Sequence, residues 1–179
     1  LVTGRDMAGY PLTELPLHIL LVQNWGLTSE LTWNHPAWSI STELAAYLLF
    51  PAVVALARWE DWPDWALLML VAALALGVHL IFAASGRTAL GEDIAGLGLW
   101  RCLPEFGMGM ILCILWQRWQ AAPRAALWAL LAALAWIAGG AALGLPETAL
   151  VPLAFFGLLL ALALDRSAVA RVLGGRMLT

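Results

Sequence analysis

Charge in this chain is confined to a few places, and that confinement decides what the chain can fold into. Residues 65–86, 125–146 and 148–164 carry no charged side chain, and residues 31–57 carry only Glu43. A membrane-spanning helix needs about 20 apolar residues, and these windows are at or near that length. The composition agrees: 63% of positions are hydrophobic, 12% are charged and the mean hydropathy is +0.84. Ordinary soluble domains hold about 25% charged and about 45–50% apolar residues. The expected fold class is therefore all-α, a polytopic transmembrane helix bundle forming a single domain in the lipid bilayer. Alternating strand patterns are absent.

Several function classes drop out on the same grounds. Net charge is -3, with nine arginines, no lysine and no basic block, so no nucleic-acid partner is expected. Cys102 and Cys113 fall in one span and read as small hydrophobes rather than a disulfide or a metal site. No metal-ligand spacing, phosphate-binding loop or nucleophile elbow is present, so no metal and no bound cofactor are expected. The chain opens on Leu1 without an initiating Met or signal peptide, and it reads as a piece of a longer protein.

Along the chain, the stretch 12–25 is short for a span and contains Pro16 and His18, so it stands as one candidate short N-terminal span. A Pro-bearing connection over 26–36 leads into a helix over about 37–58. Pro63 breaks the next turn, and Asp64 is the expected N-cap of a helix over about 64–83. A glycine-rich loop at 84–98 follows, and then helices over about 99–118, 123–143 and 147–165. Arg58, Arg118, Arg124, Arg166, Arg171 and Arg176 fall at one set of helix ends, whereas Arg87 and Arg101 lie toward the other. Short cytoplasmic loops collect basic residues, which assigns the first set to the cytoplasm. Tryptophans gather at both ends, as an interfacial belt requires.

Glu43 lies roughly 9 Å inside its helix at about 1.5 Å per residue. An intramembrane ionisable group is costly unless it is paired or faces water, and it marks function by default. Ser39, Glu43 and Tyr47 follow at i, i+4 and i+8 and form one polar seam; the plainer reading is a seam that glues two helices together. Arg101 and Glu105 stand four apart with Pro104 between them. Counted from the expected helix starts, Glu43 and Glu105 share a depth and Arg101 lies one turn further out; His79 and His18 reach a similar level. Arg101 and Glu105 can also simply neutralise each other. Gly107 with Gly109, and Gly140 with Gly144, read as close-packing positions between helices. A lone His35 in the outer loop is a weaker candidate base.

Two segments carry a resemblance. Asn34-His35-Pro36-Ala37-Trp38-Ser39-Ile40-Ser41-Thr42-Glu43, with Tyr47-Leu48 and Pro51, resembles the N-x-x-x-W-S-L-S-x-E...Y-L...P signature of acyltransferase family 3 membrane proteins. It departs only in Ile40 and Thr42, where Leu and Val are commoner. Arg101-Cys102-Leu103-Pro104-Glu105-Phe106 with Gly109 is similar to a second signature, R-x-x-x-E-F with a nearby glycine.

The resemblance implies a bacterial inner-membrane enzyme that moves an acyl group, often acetyl, from acyl-CoA to a hydroxyl of a cell-surface carbohydrate or glycolipid such as lipopolysaccharide. It implies Glu43, Arg101 and Glu105 as catalytic positions and Asn34, His35, Trp38, Ser39 and Tyr47 as substrate-binding positions. It also implies that a basic, histidine-bearing first helix and a last signature helix lie outside this sequence, so this segment alone is expected to be inactive. A different class stays open at this stage, part of a transporter or flippase with Glu43, Arg101 and Glu105 along its path; a third is a structural subunit whose charges only pair helices. The arginine bias carries a first prediction. Single cysteines placed in the turns at 59–63 and 119–123 should resist a membrane-impermeant thiol reagent applied from outside, and strong labelling there would reverse the orientation.

Overall fold

The computed structural model describes residues 9–56 and 58–165. Among them six α-helices form and no strand does: α1 (Leu15–Ile19), α2 (Ala37–Leu56), α3 (Asp64–Ala84), α4 (Ile94–Trp119), α5 (Ala125–Ala142) and α6 (Glu147–Leu164), with a 3-10 turn at Trp59–Asp61. Five of these, α2 to α6, are long and apolar enough to cross a membrane. Large apolar side chains such as Leu48, Met69, Leu76, Leu134 and Leu162 lie exposed on their outer faces. Patches of that extent are rare on soluble monomers and suit contact with lipid.

Helix α4 is the centre of the bundle, packing on α2, α3 and α6, while α5 lies against α6. The main core joins Leu67 and Val71 of α3, Ile111 and Leu115 of α4, and Leu160 of α6. A second cluster at the other end joins Val78 and Phe82 of α3 to Leu97 of α4 and Leu90 of the glycine-rich loop. Polar bonds close both ends. At one, Arg118 at the end of α4 donates to the Asp64 carboxylate and to the carbonyls of Trp62 (2.8 Å) and Glu60 (2.6 Å), and Trp119 Nε1 donates to Asp64 Oδ2 at 2.7 Å. At the other, Thr148 N donates to Thr88 O (3.3 Å) and Leu90 N to Glu147 Oε1 (3.3 Å), which binds the glycine-rich loop to the start of α6.

Several boundaries differ from the sequence reading. The stretch 12–25 makes no span: α1 has five residues, Leu21 adopts φ of +57°, and the chain then folds inward. A left-handed residue cannot continue a right-handed helix. Helix α4 begins five residues before the expected Leu99, because Asp93 caps it, accepting from Gly96 N at 3.3 Å. Asp64 is not an N-cap, since Pro63 holds that place; Asp64 is the first helical residue, and its carboxylate is turned to Arg118 and Trp119. Arg58, expected at the end of α2, is not helical, and Arg166, Arg171 and Arg176 lie outside the described residues.

The glycines divide by what surrounds them. Gly140 is a close-packing position against Leu150, as expected, and Gly107 meets Leu74 at ordinary contact distance. Gly109 is not: a Cβ there meets nothing within 4 Å, and Gly144 serves a turn at φ of +66°. The tightest backbone approach is Gly157 of α6, where a Cβ would stand 2.9 Å from Ala133 Cβ and 3.4 Å from its Cα. Overpacking of that kind costs about 1–3 kcal/mol. Gly157→Val should therefore lower the unfolding free energy in detergent by about that amount. Gly139→Ala, at a helical site with open space around it, should be neutral or stabilising by up to about 1 kcal/mol. Equal stability of the two variants would contradict the packing of α5 on α6.

Candidate functional site

The two charged seams meet across the contact between α2 and α4. Phe106 of α4 lies edge-on to both Tyr47 and Phe50 of α2, with ring centroids 6.1 Å apart in each pair. That contact brings the two seams side by side. The equal depth expected for Glu43 and Glu105 was counted from Leu99 as the start of α4, and α4 starts at Ile94. All three still line one cavity of about 280 Å³. Trp38, Ser39, Thr42 and Glu43 form its α2 wall, and Gly98, Arg101, Cys102, Glu105 and Phe106 its α4 wall.

The charge pairing inside this cavity is uneven. Arg101 Nε donates to Glu105 Oε1 at 3.1 Å, and its Nη1 donates to Leu90 O at 3.2 Å. Both side chains of the pair keep about a third of their surface open, 31% and 33%. Glu43 is exposed on its face of α2 and has no hydrogen-bond or ion-pair partner among the described residues. The site thus holds one fixed cation, one carboxylate committed to it, and one carboxylate uncommitted. Pro104 lies inside α4 between the pair and has no amide to give to the carbonyl of Trp100, so the ladder is open by one bond where Arg101 turns outward.

The other expected residues separate. Ser39 and Trp38 line the cavity, although the Ser39 hydroxyl is occupied by Pro36 O at 3.1 Å. Tyr47 is 59% exposed and reaches the site only through its ring contact with Phe106. Asn34 and His35 are exposed in the loop outside it, where the Asn34 carbonyl receives the Ala37 amide and starts α2. His79 leaves the site altogether, since its Nδ1 lies 2.9 Å from Thr148 Oγ1 on α6.

Thr42, Cys102 and Asn24 were not anticipated. The first two were within reach of helix arithmetic, since 38, 39, 42 and 98, 101, 102, 105 each recur at helical spacing on one face. Asn24 was not, because it arrives from the folded-in N-terminal loop. It is buried against Gly98: its backbone amide donates to Ser41 Oγ (3.1 Å) and its Nδ2 to Ile94 O (3.1 Å). Beside it Gln23 Nε2 donates to Ala37 O (3.1 Å), and Trp25 Nε1 donates to Ser41 O (2.9 Å). The side-chain oxygens of Gln23 and Asn24 are buried without a donor among the described residues.

His18 has a chain of its own. Its Nε2 lies 2.9 Å from Thr32 Oγ1, and that hydroxyl donates to Glu14 Oε2 at 2.6 Å. A hydroxyl has one proton to give, so with it committed to Glu14 the Thr32 oxygen is left to accept from His18 Nε2. Among the described residues, no three His, Cys, Asp or Glu side chains gather into a metal-binding group.

With this geometry in place, comparison with known proteins identifies one family. A family model described as an acyltransferase domain matches residues 6–172. No curated protein and no solved structure matches the chain. The matched segment contains all five membrane-length helices and both charged seams, and the chain accordingly belongs to acyltransferase family 3, as a multi-pass membrane acyltransferase domain.

Proposed function

We propose that the cavity between α2 and α4 is the acyl-transfer site of an O-acyltransferase of the bacterial inner membrane. Acyl-CoA is the donor, acetyl-CoA in the simplest case, and the acceptor is a hydroxyl of a cell-surface carbohydrate or glycolipid. The observation that carries this reading is the uneven pairing: Arg101 is held by Glu105 and Leu90 O, while Glu43 across the cavity is left uncommitted. A static neutralising pair would need no third ionisable group, and leaving one in hydrocarbon costs about 2.5–3.5 kcal/mol on insertion scales.

In the reaction the acceptor oxygen attacks the thioester carbonyl, a C–O bond forms, the C–S bond breaks, and the hydroxyl proton passes through a base to the departing thiolate. Arg101 is placed to stabilise the oxyanion, a contribution of about 10²–10³ in rate for a single donor. Glu105 keeps the guanidinium in position. Glu43 orients the base and stabilises its protonated form, and the base is proposed to be a histidine supplied from outside this stretch of chain. Trp38 and Ser39 border the acceptor, with Tyr47, Asn34 and His35 further out along its approach.

Replacement in the full-length enzyme tests these roles. Glu43→Gln should leave membrane abundance within about twofold and lower acceptor acylation by about 10²–10⁴, the usual range for loss of a proton-transfer partner. Arg101→Lys keeps the charge and loses the planar fork, and should lower acylation by about 10²-fold or more. Normal acylation in both variants would reduce the seam to a structural role. If abundance and activity fall together, the exchanged pair Arg101→Glu with Glu105→Arg decides: restored abundance without activity supports the proposal, and restored activity overturns it.

A further inference from the structure

Arg101 and Glu105 also line a second cavity, on the adjoining face of α4. It lies between α4 and α6, encloses about 500 Å³, and is the larger of the two that these residues border. Its ends differ in chemistry. At one end are Arg101, Glu105 and Glu147 around the Leu90 peptide, whose carbonyl is held by Arg101 and whose amide is held by Glu147. The remainder is hydrocarbon: Met108 and Leu112 of α4 face Val151, Phe155 and Leu159 of α6. From Arg101 to Leu112 is eleven residues along one helix, or about 16 Å at 1.5 Å per residue. Gly109 lines it midway, and a Cβ there would meet nothing within 4 Å.

A slot with a charged head, an apolar body of that length and a glycine window has the form of an acyl-chain site. Its head is the cation proposed to hold the reacting carbonyl. We propose that this cavity holds the aliphatic chain of the acyl group in transfer, so that the enzyme accepts chains well beyond acetyl. The proposal rests on the acyl-transfer reading and adds the donor class, a medium-chain fatty acyl thioester. The carbonyl lies at Arg101, where the C–S bond breaks and the C–O bond forms with the proton passing to the thiolate, and the chain takes no part in the bond changes. Charge complementarity favours this occupant over a phospholipid tail: a carbonyl gaining negative charge matches Arg101, whereas a phospholipid tail buried to the same depth would place methylenes against an ion pair.

The test uses full-length protein in its membrane, with decanoyl-CoA bearing a diazirine at the chain terminus as the probe and a diazirine phosphatidylcholine as the comparison. Decanoyl probe should label α4 and α6 around Leu112 and Phe155, and excess unlabelled decanoyl-CoA, but not excess phospholipid, should abolish the labelling. Gly109→Leu should lower this labelling, and the ratio of decanoyl to acetyl transfer, at least tenfold. Val151→Trp narrows the slot from the α6 side and decides the matter if Gly109→Leu does not accumulate. Labelling by the phospholipid probe alone, or unchanged labelling in both variants, overturns the inference. Acetyl transfer without decanoyl transfer or labelling overturns it while leaving the acyl-transfer reading intact. Competed decanoyl labelling in an enzyme that transfers neither group upholds the slot and removes the acyl-transfer reading instead.

Discussion

The bundle depends on how it accommodates a guanidinium within a membrane-spanning helix. In a medium without water, a cation must be met by protein groups, and Arg101 is met twice, once by a carboxylate on its own helix and once by a loop carbonyl. The second bond matters beyond the pair. It fixes Leu90, which caps the small core of Val78, Phe82 and Leu97, and whose amide in turn engages Glu147 at the start of α6. One ion therefore ties the loop, α4 and α6 into a single end of the bundle.

Helix α4 is consequently a shared wall rather than one stave among five. Its two faces look onto different chemistry: carboxylate, hydroxyl and thiol toward α2, hydrocarbon toward α6. The helix is apolar enough to span, yet its charged residues are at i and i+4, so they share one stripe and can be reached from both sides. A bundle with its charged groups on a central helix opens them to two cavities of unlike polarity.

Much of this was legible in the chain. Five helices follow from apolar windows with little or no charge, and their ends from Pro63 and the arginines. Glu43, Arg101 and Glu105 announced themselves because an ionisable residue in such a window is expensive. The start of α4 was misplaced for a specific reason: Gly96 and Gly98 argued for loop, and the Asp93 cap overrode them, moving the helix start by more than a turn. Asn24 was invisible for another. Its role exists only once Leu21 reverses the chain, and neither periodicity nor propensity at a leucine signals a left-handed residue. Gly109 looked like a packing glycine because its spacing from Gly107 suggested one; emptiness beside a residue is a property of the neighbours and is not written at the position itself.

The folded-in loop has a further consequence. Gly98 has no room for a side chain because Asn24 Nδ2 would lie 2.7 Å from its Cβ, with Trp38 on the same side at 3.5 Å. Asn24 and Gln23 grip the first turns of α4 and α2 respectively, so this dipeptide works as a shim whose thickness sets how far apart the two helices start. Neither residue lines the chamber, yet the spacing they set is the spacing between its two walls.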